Sequence, residues 1–249
     1  MSRIKIAFFG CKPLGEDCLE YLMTKNHKFE VVLVGSNPTS ENWWKSNRAY
    51  DLAKKSGIAF VDNSRKNESQ ILEFLATNSC DYLISVQHSW IFSNNIINKF
   101  KNAFNLHNAK LPEYKGYNAF SHAILNGDPT YTTTLHHLVP DVDAGDIIFE
   151  ATIPIDKEET AQSLYHKSNH EAFELFRKLI TYLENGQSLP SKKQVGEGSF
   201  YNRKSLDQYR DLTDCTDNSF EKKIWRALYF PPFDGPYRIV EGKKEFIKF

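Results

Sequence analysis

Asn105 and His107 stand two residues apart in the run Asn105-Leu106-His107-Asn108-Ala109-Lys110-Leu111-Pro112. If that run begins as the end of a strand, side chains two apart leave on one face, so an amide and an imidazole can reach the same ligand. The amide is a donor for developing negative charge, and an imidazole with an ordinary pKa of about 6.5 takes or gives a proton near neutral pH. A second stretch, Thr134-Leu135-His136-His137-Leu138-Val139-Pro140-Asp141-Val142-Asp143-Ala144-Gly145-Asp146, adds two histidines and three carboxylates. His136 and His137 adjoin and must face opposite ways on a strand, which makes them awkward joint ligands, so no metal is expected. The residue types alone do not choose among Asp141, Asp143 and Asp146, all in or beside a stretch dense in turn formers.

Positioning these groups requires a sheet. Residues 4–9 form an apolar run broken only by Lys5 and closed by Gly10, a buried strand, followed by a helical pattern carrying Leu14, Cys18 and Leu22. Residues 29–34 repeat the strand signature before the breaker Gly35-Ser36-Asn37-Pro38. Helices fit 45–55 and 68–77, with short strands at 59–61, 82–86 and 103–106, and two further strand-like runs at 131–137 and 146–155. Strands alternating with helices predict an α/β fold, a Rossmann-like and mostly parallel sheet covered on both faces. Ligands of such sheets bind outside the carboxyl ends of the strands, which is where Asn105 and His107 fall. A long helix follows, with Asp156 and Glu159 as an N-terminal cap pair and Leu164, Phe173, Phe176, Leu179, Ile180 and Leu183 as its apolar stripe, closing near Asn185-Gly186. Composition shifts after Leu189-Pro190, which predicts a domain over 1–189 and a small C-terminal appendage over 190–249 rich in aromatic and basic residues.

Together the two chemical stretches resemble the folate-dependent formyltransferases, which act on methionyl-tRNA, glycinamide ribonucleotide or nucleotide-linked amino sugars. Those enzymes carry Asn-x-His followed by Leu-Pro and Gly, then a His and, seven residues later, an Asp before a small residue and Gly. The match falls on Asn105, His107, Leu111-Pro112, Gly116, His136 and Asp143-Ala144-Gly145. The resemblance covers about residues 4–183 and implies a transferase that uses 10-formyltetrahydrofolate, with Asn105, His107 and Asp143 catalytic. Asp143 is singled out because it alone occupies the family position. Formyl transfer to an amine passes through a tetrahedral oxyanion, for which an amide donor, an imidazole and a carboxylate have separate uses.

The resemblance also implies that two loops clasp the pteridine of the folate, assigning Gln87, His88, Trp90 and Ile91 from one and Val139 and Asp141 from the other. For the acceptor it points to the appendage. Phe200-Tyr201-Asn202-Arg203 and Arg226-Ala227-Leu228-Tyr229-Phe230-Pro231-Pro232-Phe233 are similar to the short appendage of the sugar N-formyltransferases. The implied acceptor is a nucleotide-linked amino sugar, in particular dTDP-4-amino-4,6-dideoxyglucose for O-antigen or other glycan synthesis, contacted by Lys115, Tyr117, Asn118, Tyr229 and Phe230. A 3-amino or UDP-linked sugar is the alternative, then a hydrolase releasing formate from the same donor. A homodimer is expected on the same resemblance. Gly10-Cys11-Lys12-Pro13-Leu14-Gly15 sits where a phosphate-cradling turn belongs but lacks its Lys-Ser/Thr pair and carries Glu16 and Asp17 instead, so only Lys12 is kept as an anion contact.

Lys plus Arg equals Asp plus Glu at 31 each, so no global field draws nucleic acid or an anionic membrane. Hydrophobic residues at 41% and charged residues at 25% fit a globular enzyme rather than a disordered chain. The first apolar run is too short for a signal-peptide core or a membrane span, which predicts a cytoplasmic protein. Cys11, Cys18, Cys80 and Cys215 show no paired spacing and read as buried thiols.

Overall fold

The apolar run at the start of the chain forms β1 (Ile4–Gly10), and the alternation continues through α1 (Lys12–Thr24), β2 (Phe29–Ser36), α2 (Arg48–Lys55), β3 (Ala59–Asp62), α3 (Glu68–Thr77), β4 (Tyr82–Val86), α4 (Asn94–Ile97) and β5 (Asn102–His107). Then come β6 (Lys115–Gly116), α5 (Ala119–Asn126), β7 (Thr130–His137), β8 (Ile147–Pro154), α6 (Ala161–Glu184), β9 (Phe200–Tyr201), α7 (Asn218–Leu228), β10 (Tyr237–Val240) and β11 (Lys243–Phe246). The structure is a computed structural model that describes residues 2–63 and 67–249.

Seven strands make one sheet in the order β3-β2-β1-β4-β5-β7-β8. β3, β2, β1, β4 and β5 run parallel, and β7 joins antiparallel to β5. The mostly parallel α/β sheet is as expected, with an antiparallel partner on β5 that periodicity does not reveal. Order reverses between β1 and β4, so the loops after β1 and β4 leave the sheet on either side of a topological switch point.

By the contacts of its backbone the chain divides into two compact units, Met1–His107 with Thr134–Glu150 and Ala172–Val195, and Asn108–Thr133 with Ala151–Glu171 and Gly196–Phe249. In the first, one core gathers Ala7, Phe9, Leu33, Val61, Ile71, Leu83, Phe92 and Ala103. On α6, Phe176 meets Phe8 edge to face at 6.3 Å, and Leu175, Leu179, Ile180 and Leu183 are buried with it. The second unit has its own core around Tyr114, Ala123, Tyr131, Leu164, Leu206, Leu212, Ile224 and Leu228.

Local chemistry moves two element boundaries. The helix expected from residue 45 begins at Arg48, because buried Glu16 accepts from the Ser46 hydroxyl at 2.7 Å and the Arg48 amide at 3.0 Å, holding residues 46–48 against α1 before the helix starts. Asp156 and Glu159 do not form the cap pair expected of α6. Thr160 does so with Ser163, each side chain accepting from the other's backbone amide, at 3.1 and 2.9 Å, while Asp156 and Glu159 both pair with Lys167. Cys11, Cys18 and Cys80 are buried, and Cys215 is half-buried.

Candidate active site

β5 and β7 pair in a register that sets Asn105 opposite His136 and His107 opposite Thr134. Directly opposed residues share a face, so this register, more than the local sequence, brings His136 to Asn105. His136 is 2% exposed, and its Nδ1 lies 2.8 Å from the carbonyl of His137, a pure acceptor. That nitrogen therefore carries the proton, and Nε2 accepts from the Asn105 amide nitrogen 3.1 Å away. The same amide nitrogen donates to Asp143 Oδ1 at 3.3 Å.

Asp143 Oδ1 is the meeting point. Besides Asn105, it has His107 Nδ1 at 3.5 Å and His136 Nε2 at 3.7 Å. The side chains of His107 and Asp143 are only 13% and 11% exposed, which strengthens their mutual field. Asp143 is held in place by its loop. Its φ of 50° is left-handed, a strained choice for a non-glycine residue. Gly145 allows that turn to close, since an added Cβ would lie 1.7 Å from the His137 carbonyl oxygen. Gln194 then donates from its side-chain amide to the carbonyls of Asp143 and Gly145, both at 2.8 Å. Gln194 and His136's grip on the Asn105 amide are both outside the sequence-derived set. Gln194 sits in a polar stretch read as a boundary, and nothing in the sequence marks its partner 51 residues earlier.

The candidate folate loops belong to the same unit. Val86 is paired with Leu106, so the chain leaves β4 and β5 side by side. Gln87 opens the loop after β4 at φ 49°, again left-handed. His88 Nδ1 accepts from the Trp90 amide at 3.2 Å, which leaves the proton on Nε2, a buried atom with no partner among the described residues. Burial pushes the His88 pKa down to about 3, so the ring is neutral. The ring stacks on Phe92, and the Trp90 indole nitrogen donates to the Asn63 carbonyl at 2.9 Å. Ile91 and Val139 stand out as exposed apolar side chains, and Asp141 accepts from the Ala144 amide within the acid loop. Lys12, at φ 63°, heads α1 after β1.

In the second unit, Lys115, Tyr117 and Asn118 come together on the segment that β6 pairs with β9. Tyr229 and Phe230 pack elsewhere in that unit, Tyr229 on Trp225 at 4.8 Å and Phe230 on Tyr165 at 5.3 Å. Lys12, Gln87, Asn118 and Asp143 account for four of the six non-glycine residues with positive φ among the described residues, a concentration of backbone strain typical of functional positions. Among the described residues no group of three or more His, Cys, Asp or Glu is arranged to hold a metal ion, and no helix is long and apolar enough to cross a membrane.

A mostly parallel sheet with a half-buried amide and imidazole at the carboxyl end of β5, met by a half-buried carboxylate from the loop between β7 and β8, is the arrangement of an α/β enzyme. The chain belongs to the formyl transferase family, whose model matches residues 4–180, and it is a formyltransferase. It is 27% identical over 248 residues to a GDP-perosamine N-formyltransferase of Brucella melitensis, covering 99% of this chain and 92% of that one. A methionyl-tRNA formyltransferase of Mycoplasma capricolum is also 27% identical, with 99% of this chain and 78% of the relative covered. Among solved structures, the N-formyltransferase of Helicobacter canadensis in complex with folinic acid and dTDP-3-aminofucose shares the fold at a TM-score of 0.73 and 24% identity, over 98% of this chain and 86% of the other.

Proposed function

We propose that this formyltransferase moves the formyl group of 10-formyltetrahydrofolate to the amine of a nucleotide-linked amino sugar, and that Asn105, His107 and Asp143 carry the chemistry. The observation behind the assignment is the convergence on Asp143 Oδ1 of the Asn105 amide and the His107 and His136 imidazoles within 3.7 Å. With Asp143 at its Nδ1, His107 presents Nε2 to the substrate. The acceptor nitrogen attacks the formyl carbon, a C–N bond forms, and His107 takes the amine proton. The amide hydrogen now shared with Asp143 at the longer distance turns to the developing oxyanion. Collapse breaks the bond to the folate nitrogen, which receives the proton, leaving a formamide and tetrahydrofolate. Gln87, His88, Trp90, Ile91, Val139 and Asp141 are assigned to the folate. The exposed Ile91 and Val139 offer apolar surface to a pteridine, and the unpartnered His88 Nε2–H offers it a donor.

For the acceptor, dTDP-4-amino-4,6-dideoxyglucose is the first compound to test. GDP-perosamine, named for the Brucella relative, is the second, followed by 3-amino and UDP-linked sugars. Lys12, Lys115, Tyr117, Asn118, Tyr229 and Phe230 are the candidate contacts. The balance of 31 basic and 31 acidic residues favours a small acceptor over a tRNA. The deciding assay incubates the enzyme and donor with this panel and with methionyl-tRNA, reading product mass. Formylated sugar is the expected product, formylated methionyl-tRNA alone would overturn the acceptor, and formate release indifferent to every acceptor would make the protein a hydrolase. A homodimer belongs to the same proposal, supported by the exposed Ile239, Val240 and Phe246 of the β10–β11 hairpin.

A further inference from the structure

Asn118 stands at the N-cap of α5, where an asparagine side chain ordinarily accepts from the first free helix amides, yet here it makes no such bond. Its amide nitrogen instead donates to the carbonyls of Asn202 and Arg203 at 3.4 and 3.3 Å and to the Ser205 hydroxyl at 3.2 Å. His122, one turn along α5, meets the same hydroxyl through Nε2 at 2.8 Å and stacks on Tyr201 with ring centroids 3.8 Å apart. Gly116 clears the crossing, since a Cβ there would come within 2.4 Å of the Tyr201 carbonyl oxygen. Backbone bonds from Lys115 to Ser199 and from Tyr117 to Tyr201 complete the fastening. A helix cap, a left-handed backbone and a buried histidine are thus all committed to holding residues 199–205 against residues 115–118.

This fastening presents Arg203. Its guanidinium lies over the Tyr117 ring, 4.8 Å from the centroid, with Nη2 3.2 Å from the phenol oxygen. Arg3, Arg48, Arg177, Arg210 and Arg238 each have a carboxylate within 4 Å, and half-buried Arg226, which has none among the described residues, donates to the Glu159 carbonyl at 3.2 Å. Arg203, exposed to solvent, has none among the described residues, and neither does Lys115, whose ammonium reaches only the Glu197 carbonyl. An arginine fixed against an aromatic face keeps its outer nitrogens aligned for a planar, two-pronged anion contact at reduced entropic cost.

We infer that Arg203, with Lys115 beside its segment, receives the phosphates of the nucleotide-linked acceptor, and that Asn118, His122 and Ser205 are positioning residues that hold it there. The inference rests on the proposed acceptor class and deepens it. It assigns the diphosphate, the part shared by dTDP, UDP and GDP sugars, to a residue outside the reacting cluster.

The test measures calorimetric binding of dTDP, UDP and GDP, and of the matching nucleosides, to wild type, Arg203→Gln and Arg203→Lys. Melting temperatures verify that each variant is folded. For whichever diphosphate wild type binds, Arg203→Gln is expected to weaken binding roughly tenfold, the loss of one charged hydrogen bond, while nucleoside affinity stays put and Arg203→Lys falls between. In turnover the effect should fall on the acceptor's KM and not on the donor's. Ser205→Ala should raise the same KM less, Ser205→Thr should restore it, and Arg203→Gln with Ser205→Ala should be no worse than Arg203→Gln alone. Equal diphosphate affinity in wild type and Arg203→Gln would overturn the inference while leaving the acceptor class standing. A wild type that binds none of the diphosphates and formylates no nucleotide sugar would overturn both.

Discussion

Asn105 and His136 face each other across the β5–β7 ladder, the amide nitrogen of one 3.1 Å from Nε2 of the other. With His136 Nδ1 donating to a carbonyl, Nε2 of the neutral ring is an acceptor, and this sets which end of the Asn105 amide points toward it and Asp143. Replacing Asn105 by Ala is therefore expected to lower kcat by ~10²–10³, the cost of one lost oxyanion donor, with smaller changes in either KM. Steady-state rates with saturating donor decide this, and a variant within threefold of wild type would remove Asn105 from the mechanism.

His136→Ala should act on the same step from one residue away. With no acceptor opposite it, the Asn105 amide loses a preferred orientation, so kcat is expected to drop while donor affinity holds. If donor affinity fell and kcat held, His136 would belong to folate binding instead.

The acid loop makes its own prediction. Gln194→Ala removes two hydrogen bonds to the Asp143 and Gly145 carbonyls and should cost about 1–3 kcal/mol in urea unfolding, together with a loss of kcat as Asp143 loosens. Gly145→Ala is expected to be worse, because its Cβ has no space against His137. An active, fully stable Gly145→Ala protein would contradict the closed loop seen here.

Burial holds His88 neutral down to a pKa of about 3, well below its ordinary value of 6.5. Between those values the unfolded chain binds a proton that the folded protein refuses, so this residue makes stability fall as pH drops, by up to about 1.4 kcal/mol per pH unit. His122, lowered to about 4 by burial, acts in the same direction. His88→Phe should flatten the decline in unfolding free energy from about pH 6 to pH 4, and an unchanged slope would show that His88 titrates freely.

Glu16 is 3% exposed and accepts from Ser46 and the Arg48 backbone. Glu16→Ala removes the acceptor for both and leaves the Arg48 amide only the Ser46 hydroxyl at 3.2 Å, so it is expected to destabilise by about 1–3 kcal/mol, read from the urea midpoint, with catalysis at Asn105 unaltered.

Much of this enzyme was settled along the chain. The apolar runs at residues 4–9 and 82–86 read as buried strands, the pattern at 68–77 gives α3 to the residue, and once residues 102–107 are a strand its two-residue period puts Asn105 and His107 on one face. Those are consequences of local sterics and of the need to bury apolar side chains. The antiparallel register that sets Asn105 against His136 comes from pairing between strands more than twenty residues apart, and it carries no local signature. The same holds for Gln194 beneath the Asp143 loop and for the diversion of Asn118 from its helix to Arg203 and Ser205. Hydrogen-bond donors of one residue type look identical in sequence whether they cap a helix or fasten a distant segment, and only the folded chain decides which acceptor lies within reach.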